Sequence, residues 1–167
     1  MVILGIDTAL RCSGYGVIRV TGKQFQALDC GVIKNSPRLA HSECLRRLTA
    51  GVVELIERFH PDLAAIEGGF YLKNAKTAMV LGMARGCVIG ALAQHRIPCY
   101  EYAPARAKQA ITGYGRATKD EVARVMRGLL GLDIRTIPED ATDALSLAIC
   151  HALISQSRGG VYLKPPL

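Results

Sequence analysis

Apolar positions recur along this chain with two different spacings, and each spacing predicts one kind of element. Continuous apolar runs at 2–6 and 63–66 are typical of strands buried on both faces of a sheet. Helical spacing of apolar residues predicts the longer elements. In chain order the pattern predicts a strand at 2–7, a hairpin of strands at 14–20 and 25–34, a helix at 38–60, a strand at 63–66, a helix at 74–96, a strand at 98–102, and helices at 104–111, 118–130 and from 136–140 to about 155.

This succession predicts an α/β fold in which helices flank a mixed sheet. A chain of 167 residues suits one domain, and the sequence shows neither an internal repeat nor a linker. We therefore expect a single domain over 1–157 and a C-terminal tail over 158–167 that is loop or disordered.

The composition narrows the choice of partner and compartment. A net charge of +7 and a pI near 9.3 favour a polyanionic partner such as nucleic acid. The six cysteines form no C-x-x-C pair, so zinc or thioredoxin-like chemistry has no local support and a reducing cytoplasm is the simple expectation. No stretch approaches roughly 18 uninterrupted apolar residues, so we expect neither a membrane span nor a signal peptide.

Three glycines, Gly82, Gly86 and Gly90, fall inside the helix predicted at 74–96. A glycine inside a helix costs about 1 kcal/mol relative to alanine. Their accumulation in one helix predicts the close approach of another helix or strand.

Four acidic residues stand apart from the acids of solvated helix faces and turns. Asp7 and Glu67 each end an apolar strand, while Asp140 and Asp143 lie three positions apart at the start of an apolar helix, hence on one face. If the two strands are neighbours and the helix crosses their ends, the four carboxylates converge. The alternatives are plain structural roles: Asp140 as a partner of the helix dipole and Asp7 as a turn acid.

Such a cluster would repel itself unless divalent cations held it together. Carboxylate oxygens are the ligands that Mg²⁺ prefers, with further positions left to water and substrate phosphate. Two such ions about 3.5–4 Å apart can activate an attacking water and stabilise a leaving oxygen. The acids therefore favour a metal-dependent phosphodiester hydrolase.

Several short motifs in a fixed order carry a family resemblance. They are Gly5-Ile-Asp7, Gly14-Tyr-Gly16, Ala65-Ile-Glu67, Phe70, Lys73-Asn74, Leu81-Gly82-x-Ala84-Arg85-Gly86, Glu101-Tyr102, Lys108, Gly113-x-Gly115-x-Ala117-x-Lys119 and Asp140-Ala-x-Asp143-Ala-Leu145. With these residues, over nearly its whole length, the chain resembles the RuvC-type Holliday junction resolvases of the ribonuclease H-like superfamily. The resemblance implies a five-stranded mixed sheet with an antiparallel second strand, flanked by helices.

The resemblance also implies roles for individual residues. Acids matching Asp7, Glu67, Asp140 and Asp143 bind Mg²⁺ or Mn²⁺ in this family, two ions to a site, and direct water at a phosphodiester. Lysines matching Lys108 and Lys119 lie beside that site, where an ammonium can hold a phosphate oxygen. The aromatic matching Phe70 stacks on bases at the junction centre. Basic residues that would then contact DNA include Arg38, Lys73, Lys76, Arg106, Lys108, Arg116 and Lys119.

Family members act as homodimers that nick two strands of like polarity in a four-way junction, and they work with a branch-migration helicase complex. Two-fold symmetry in the enzyme matches the pseudo-symmetry of the junction. The resemblance therefore implies a cytoplasmic homodimer whose substrate is four-way junction DNA.

Two positions depart from the family pattern. Thr8-Ala9 replaces the usual Pro-Gly, so the loop loses a preset φ and a free approach to phosphate. Met83 replaces the usual Gln. All four acids are present, so the departures bear on loop geometry and sequence preference more than on catalysis.

Other classes of function remain open at this point. A related ribonuclease H-like nuclease could cut RNA or another branched DNA, and a junction-binding protein without catalysis would share the basic charge. The opening Ile6-Asp7-Thr8-Ala9 also resembles actin-like ATPase-fold proteins, including tRNA-modification partners, although that class leaves Glu67 and the Asp140/Asp143 pair unexplained.

Overall fold

The strands and helices of this computed structural model follow the order predicted from the sequence. The structure describes residues 1–68, 74–133, 136–157 and 163–167. Its elements are β1 (Val2–Asp7), β2 (Cys12–Thr21), β3 (Gln24–Lys34), α1 (His41–Phe59), β4 (Leu63–Glu67), α2 (Ala75–Gln94), β5 (Cys99–Tyr102), α3 (Pro104–Thr112), α4 (Lys119–Leu130) and α5 (Glu139–Gln156). The strands form one five-stranded sheet in the order β3-β2-β1-β4-β5.

The sheet is mixed, as predicted. β1 pairs with β2 and β2 with β3 in antiparallel fashion, whereas β1 with β4 and β4 with β5 are parallel. A two-residue turn joins β2 to β3, and Gly22 supplies the positive φ of 57° that such a turn requires. The prediction of an α/β fold whose second strand is antiparallel is confirmed.

The two faces of the sheet are covered by different helices, and the strand period decides which residue meets which helix. Leu4 and Ile6 of β1 pack in a cluster with α1 and α2, while Ile3 packs in a second cluster with α4 and α5. Because side chains alternate along a strand, the odd-numbered positions of β1 face α5. Asp7 therefore lies on the α5 side of the sheet.

Helix α5 lies against the backbones of β1 and β2. A Cβ atom added at Gly5 would come 1.9 Å from the carbonyl oxygen of Ala144, and one at Gly14 would come 1.8 Å from that of Asp140. Gly5 pairs with Gly16, and Gly14 with Asp7, in the antiparallel ladder. Glycine at these positions removes the side chains that would hold the helix away from the sheet.

The far end of α5 is tied to β5 by a buried polar pair. His151 is 1% exposed, and its Nδ1 lies 2.9 Å from the hydroxyl oxygen of Tyr102. Burial lowers the pKa of His151 to about 4, so the ring is neutral at physiological pH. A neutral ring lets the pair fill an apolar site without burying a charge.

Two elements begin more than one residue away from their predicted starts. The helix predicted from Arg38 begins at His41, because the Leu39 N–H donates to the Ser36 carbonyl in a turn that precedes the helix. The strand predicted from Gly14 begins at Cys12, since Cys12 pairs with Lys34 of β3. The helical spacing of apolar residues does not encode this local turn.

Among the described residues of the chain, Gly82, Gly86 and Gly90 do not meet the neighbouring element that was expected. A Cβ at any of the three would find no atom of the described residues within 4 Å. Helix α2 packs on the core through Ala84, Val88, Ala91 and Leu92, so the glycines lie on its open side, where Met79 is 68% exposed.

Helix α2 is apolar on both its packed and its open side. By length and composition alone it is the one helix among the described residues that could cross a membrane, with a mean hydropathy of 1.3 over a window that is 22% buried. Its packed side nevertheless belongs to the same apolar cluster as α1 and the sheet.

The tail predicted over 158–167 is described only in part, because residues 158–162 lie outside the described ranges. Residues 163–167 form neither helix nor strand. Leu163 packs against the cluster that contains Tyr102, and the Leu167 N–H donates to the Cys99 carbonyl at 2.8 Å.

We expect Gly14→Ala to destabilise the fold by roughly 1–3 kcal/mol, the usual cost of overpacking, because the methyl group must push back the first turn of α5. Differential scanning calorimetry should show a lower Tm. Gly128→Ala in α4 is the control, since its Cβ meets open space and alanine favours a helix. An unchanged Tm for Gly14→Ala would show that α5 does not need this close contact.

Candidate active site

Two acids stand side by side at one edge of the sheet. Asp7 is the last residue of β1 and Glu67 the last of β4, and the parallel pair Ile6–Ile66 brings them into register. Glu67 follows Leu63 and Ala65 on the face that α5 covers. Both side chains are half-buried. Ligands in open α/β sheets bind at such strand ends.

The other two acids reach the same edge from α5. Asp140 and Asp143 lie in its first turns, and the Asp140 carbonyl rests on Gly14, the ladder partner of Asp7. Burial and then the charges of Glu67, Asp143 and Asp140 raise the pKa of Asp7 to about 7. The structure thus brings together acids from the beginning, middle and end of the chain.

The cluster carries more negative charge than its surroundings compensate. Burial raises the pKa of Glu67 and of Asp143 as well. Asp7 and Glu67 share a side-chain hydrogen bond, in which a protonated Asp7 donates to the Glu67 carboxylate. The proton on Asp7 reduces the repulsion between the carboxylates, as a bound cation could.

The donor set fits a hard divalent cation, since all four side chains offer carboxylate oxygens and the local potential is negative. Within the described parts of the chain, no three Asp, Glu, His or Cys side chains already stand in an arrangement that could hold a metal ion. Binding would therefore draw the carboxylates together and displace the proton on Asp7.

Lys119, the first residue of α4, extends over the acids. Its ammonium donates to the carboxylates of Glu139 and Asp143, with 3.5 Å between Nζ and the Asp143 oxygen. The hydrogen bond to Glu139 and then the charge of Asp143 raise the pKa of Lys119, which stays protonated. The side chain is 62% exposed and can reach a phosphate in solvent.

Lys108 lies across an open pocket from α4. The pocket, about 500 Å³ in volume, is lined by Glu67, Asp143, Lys108 and Lys119 together with apolar side chains of α4 and α5. This volume is in the range of ordinary ligand sites. Both predicted lysines therefore border the acidic cluster, as a group that binds phosphate oxygens should.

Three further residues touch the site, and no role in it was predicted for them. The Cys12 thiol donates to Asp140 at 2.8 Å, Glu139 accepts from Lys119, and the Arg85 guanidinium donates to the Glu67 carbonyl. Burial raises the pKa of the Cys12 thiol to about 11, which keeps it a donor. The spacing of Cys12 from Gly14 in a strand was a usable signal, because both then face α5.

The loop after Asp7 is held without the family's Pro-Gly. The Ser13 hydroxyl donates to the Ala9 carbonyl at 2.6 Å and accepts from the Ala9 N–H at 3.0 Å. Thr8 is buried, and its hydroxyl oxygen finds no partner among the described residues. A side-chain bridge thus replaces the stiffness of proline.

The predicted DNA-binding residues are only partly described. Phe70 and Lys73 lie outside the described residues. Lys76 is exposed in the first turn of α2, where the Asn74 side chain accepts hydrogen bonds from the N–H groups of Lys76 and Thr77. The first turn of α2 holds no acid, so it can face an anion.

A mixed five-stranded sheet with an antiparallel second strand, bearing carboxylates gathered at its edge, defines the ribonuclease H-like class of nucleases. The family model "Crossover junction endodeoxyribonuclease RuvC" matches residues 3–151, and the chain belongs to that family. This confirms the resemblance read from the sequence. It also sets aside the alternative of an actin-like ATPase-fold protein.

Individual relatives agree with the family assignment. Proteins of that name from Alkaliphilus metalliredigens and Protochlamydia amoebophila are 42% and 43% identical to this chain over 152 residues, covering 91% of it and 93% and 90% of themselves. The structure of T. thermophilus RuvC in complex with a Holliday junction substrate matches with a TM-score of 0.91 and 35% identity, covering 100% of this chain and 99% of that one. The chain is therefore an endodeoxyribonuclease of a divalent-metal-dependent family.

We expect Asp7→Asn to raise the Tm of the metal-free protein near about pH 8. The folded-state pKa of Asp7, about 7, lies above the ordinary 3.8, so the wild-type fold loses stability as the pH rises through this interval. Asparagine cannot ionise and can still donate to Glu67. Calorimetry in EDTA across this pH range tests the expectation, and the gain should shrink toward pH 3.8.

The control for that experiment is Glu57→Gln, which removes an exposed charge from α1 and should show no such pH-dependent gain. Added Mg²⁺ should stabilise the wild type more than Asp7→Asn, because at a given concentration a ligand that binds the folded state more tightly raises the Tm further. If Asp7→Asn melts below the wild type at every pH, the ionised Asp7 carboxylate does not destabilise the metal-free fold.

Proposed function

We propose that this protein resolves four-way DNA junctions by a symmetric, Mg²⁺-dependent nicking of two strands of like polarity. The observation that carries the proposal is the electrostatic coupling of Asp7 to Glu67, Asp140 and Asp143 at the sheet edge. The likeness to T. thermophilus RuvC, seen with a Holliday junction substrate and covering the whole of this chain, supports junction DNA as the substrate. Recombination and repair are the processes that such an activity serves.

In this proposal Asp7, Glu67, Asp140 and Asp143 hold the metal, two Mg²⁺ ions to a site, with Mn²⁺ as a substitute. The bound ions supply an activated water and stabilise the leaving oxygen of the phosphodiester. The protein's own part is to hold the carboxylates on three rigid elements, β1, β4 and α5. Rigid placement matters because small displacements of reacting groups cost large factors in rate.

Lys119 and Lys108 are proposed to bind the phosphate being cut. Lys119 reaches over Asp143 from α4, and Lys108 borders the same pocket from α3. A protonated amine placed there offsets the charge that develops on the phosphate oxygens in the transition state. The contact of Lys119 with Glu139 and Asp143 keeps the amine at the mouth of the site before DNA arrives.

The remaining DNA contacts are proposed for Phe70, Lys73 and Lys76. An aromatic side chain stacked on a base is worth about 1–3 kcal/mol, which helps to keep a crossover open. The position of Lys76 in an acid-free first turn of α2 supports a phosphate contact. With a net charge of +7, the affinity for DNA should fall steeply with salt.

A homodimer built on the open side of α2 is the second part of the proposal. Gly82, Gly86 and Gly90 present bare backbone there, beside the exposed Met79 and the partly exposed Met83. Bare backbone lets a second helix approach closely, and Met side chains fill the gaps of such contacts. A two-fold pair of active sites would then match the two strands to be nicked.

The cellular setting is proposed from the family and from the cysteines. We place the protein in the cytoplasm, free of membranes, in association with a branch-migration helicase complex. Free rather than disulfide-bonded cysteines, six in number, support a reducing compartment.

We expect wild-type protein with Mg²⁺ to make paired nicks in a mobile four-way junction, at opposed positions in strands of like polarity. Asp7→Asn should bind the junction and lower the nicking rate by at least about a hundredfold, the loss typical of removing one transition-state-stabilising group. Denaturing electrophoresis of labelled strands measures the nicks, and gel shift in EDTA measures binding.

The same assay offers a duplex, a flap and an RNA hybrid as competing substrates. Efficient cutting of flaps or RNA with intact junctions would replace the substrate assignment by another ribonuclease H-like nuclease. If the protein binds the junction but makes no nicks at any Mg²⁺ concentration, it is a junction-binding protein without catalysis.

We expect Gly86→Leu to shift the protein from dimer to monomer in analytical ultracentrifugation. A Cβ added at Gly86 meets no atom of its own chain's described residues within 4 Å, so the fold should stand while the approach of a second helix is blocked. Gly128→Leu in α4 is the matched control, since its Cβ is equally unobstructed. A Gly86→Leu variant as dimeric as the control would rule out this face as the interface.

A further inference from the structure

The segment Leu81–Gly86 carries part of the family resemblance, yet none of the proposed chemistry uses its arginine. The Arg85 side chain, 16% exposed, leaves α2 toward the sheet edge. Its Nη1 donates to the backbone carbonyl of Glu67, and its Nη2 donates to the carboxylate of Glu101 on β5. Arg85 is thus bonded to the backbone of a proposed metal-binding acid.

The Glu67 carbonyl accepts a hydrogen bond from Arg85 at the point where the pairing of β4 with β1 ends. The ladder between β1 and β4 stops at Ile6 and Ile66, one residue before Glu67. On the other side, the Gly68 N–H donates to the Tyr102 carbonyl at 3.0 Å, so pairing with β5 continues just past the acid. Arg85 therefore supplies a hydrogen-bond donor to the Glu67 carbonyl, which lies beyond the last residue pair of the β1–β4 ladder.

Glu101 locks the arginine in place. Its carboxylate forms the ion pair with Arg85 and also packs on Gly68, where an added Cβ would come 2.8 Å from the side chain of Glu101. A planar guanidinium that bonds two oxygens through separate nitrogens has little rotational freedom. Arg85, Glu101 and Gly68 therefore form one packed group beneath the last residue of β4.

Arg85 is poorly suited to binding DNA phosphate directly. Both of its terminal nitrogens are engaged by oxygens of the chain, and its charge is compensated by Glu101. Lys119, by contrast, is 62% exposed at the mouth of the pocket. Lys119 is therefore placed to bind phosphate, whereas Arg85 is placed to hold groups of its own chain.

We propose that Arg85 is a positioning residue that fixes the backbone of Glu67, and so the direction of its carboxylate, for metal binding. The inference rests on the proposed function in that Glu67 is taken as a metal ligand. A fixed carbonyl and a fixed Cα leave only the side-chain torsions of Glu67 free. Outer partners of metal ligands commonly contribute roughly 10- to 100-fold in metal affinity or activity.

Arg85→Met tests this role, because methionine keeps an unbranched apolar stem and removes every donor. The Mg²⁺ concentration for half-maximal nicking should rise, and the nicking rate should fall, by roughly 10- to 100-fold. Junction affinity in EDTA should stay within about twofold, since Arg85 does not contact phosphate. Arg46→Met is the matched control: it breaks an exposed Arg–Glu pair on α1 and should leave both values unchanged.

A readout that needs no cutting separates this inference from the proposed function. Mg²⁺ should raise the Tm of wild type and Arg46→Met at lower concentrations than it does for Arg85→Met. If wild type binds Mg²⁺ but cuts no junction, the substrate proposal is wrong. The role of Arg85 is then still tested by the Mg²⁺ concentrations at which the Tm of each variant rises. Arg85→Lys, which keeps the cation but not the two-nitrogen fork, gives a second measurement if Arg85→Met does not fold, with the same direction of shift expected.

The inference is overturned by a folded Arg85→Met or Arg85→Lys whose Mg²⁺ midpoints equal those of wild type. It is equally overturned by a loss of junction affinity with a normal cutting rate for bound DNA, which would make Arg85 a phosphate contact.

Discussion

The close contact between α5 and the backbones of β1 and β2 is the constraint on which the site depends. Gly5 and Gly14 face the carbonyl groups of Ala144 and Asp140 so closely that no side chain fits between them. A helix in ordinary sheet packing would stand farther off and carry its first turn away from the strand ends. The absence of side chains at Gly5 and Gly14 thus allows the first turn of α5 to bring its acids close to Asp7 of β1.

This contact holds together groups that repel one another. Burial and three neighbouring acids raise the pKa of Asp7 to about 7, so the metal-free fold keeps a proton among its carboxylates. What resists the repulsion is packing: from Ala144 to Ala152 every residue of α5 is buried. The apolar core therefore supplies the stability that the mutually repelling carboxylates take away, a trade often found where function requires strain or charge conflict.

Sequence reasoning located the acids and missed their supports, for a physical reason. Asp7 and Glu67 end continuous apolar runs, so local pattern alone places them at strand ends. Arg85 contacts the backbone of Glu67, 18 positions away in sequence, and no local pattern encodes such a pairing. The start predicted for α1 was too early, because apolar spacing does not encode the turn between Ser36 and Leu39 that precedes the helix.

Helix α2 contributes both to the core and to the open surface, because its two sides face different surroundings. One side packs in the core through Ala84 and Val88 and sends Arg85 to the backbone of Glu67. The other side presents Gly86 and Gly90 with no atom of the described chain near them. A helix that is apolar toward its own core and apolar toward a proposed second copy acquires the hydropathy of a membrane span without needing a membrane. Arg85 and Gly86 are neighbours in α2, so the residue proposed to position Glu67 adjoins the backbone proposed to meet a second subunit.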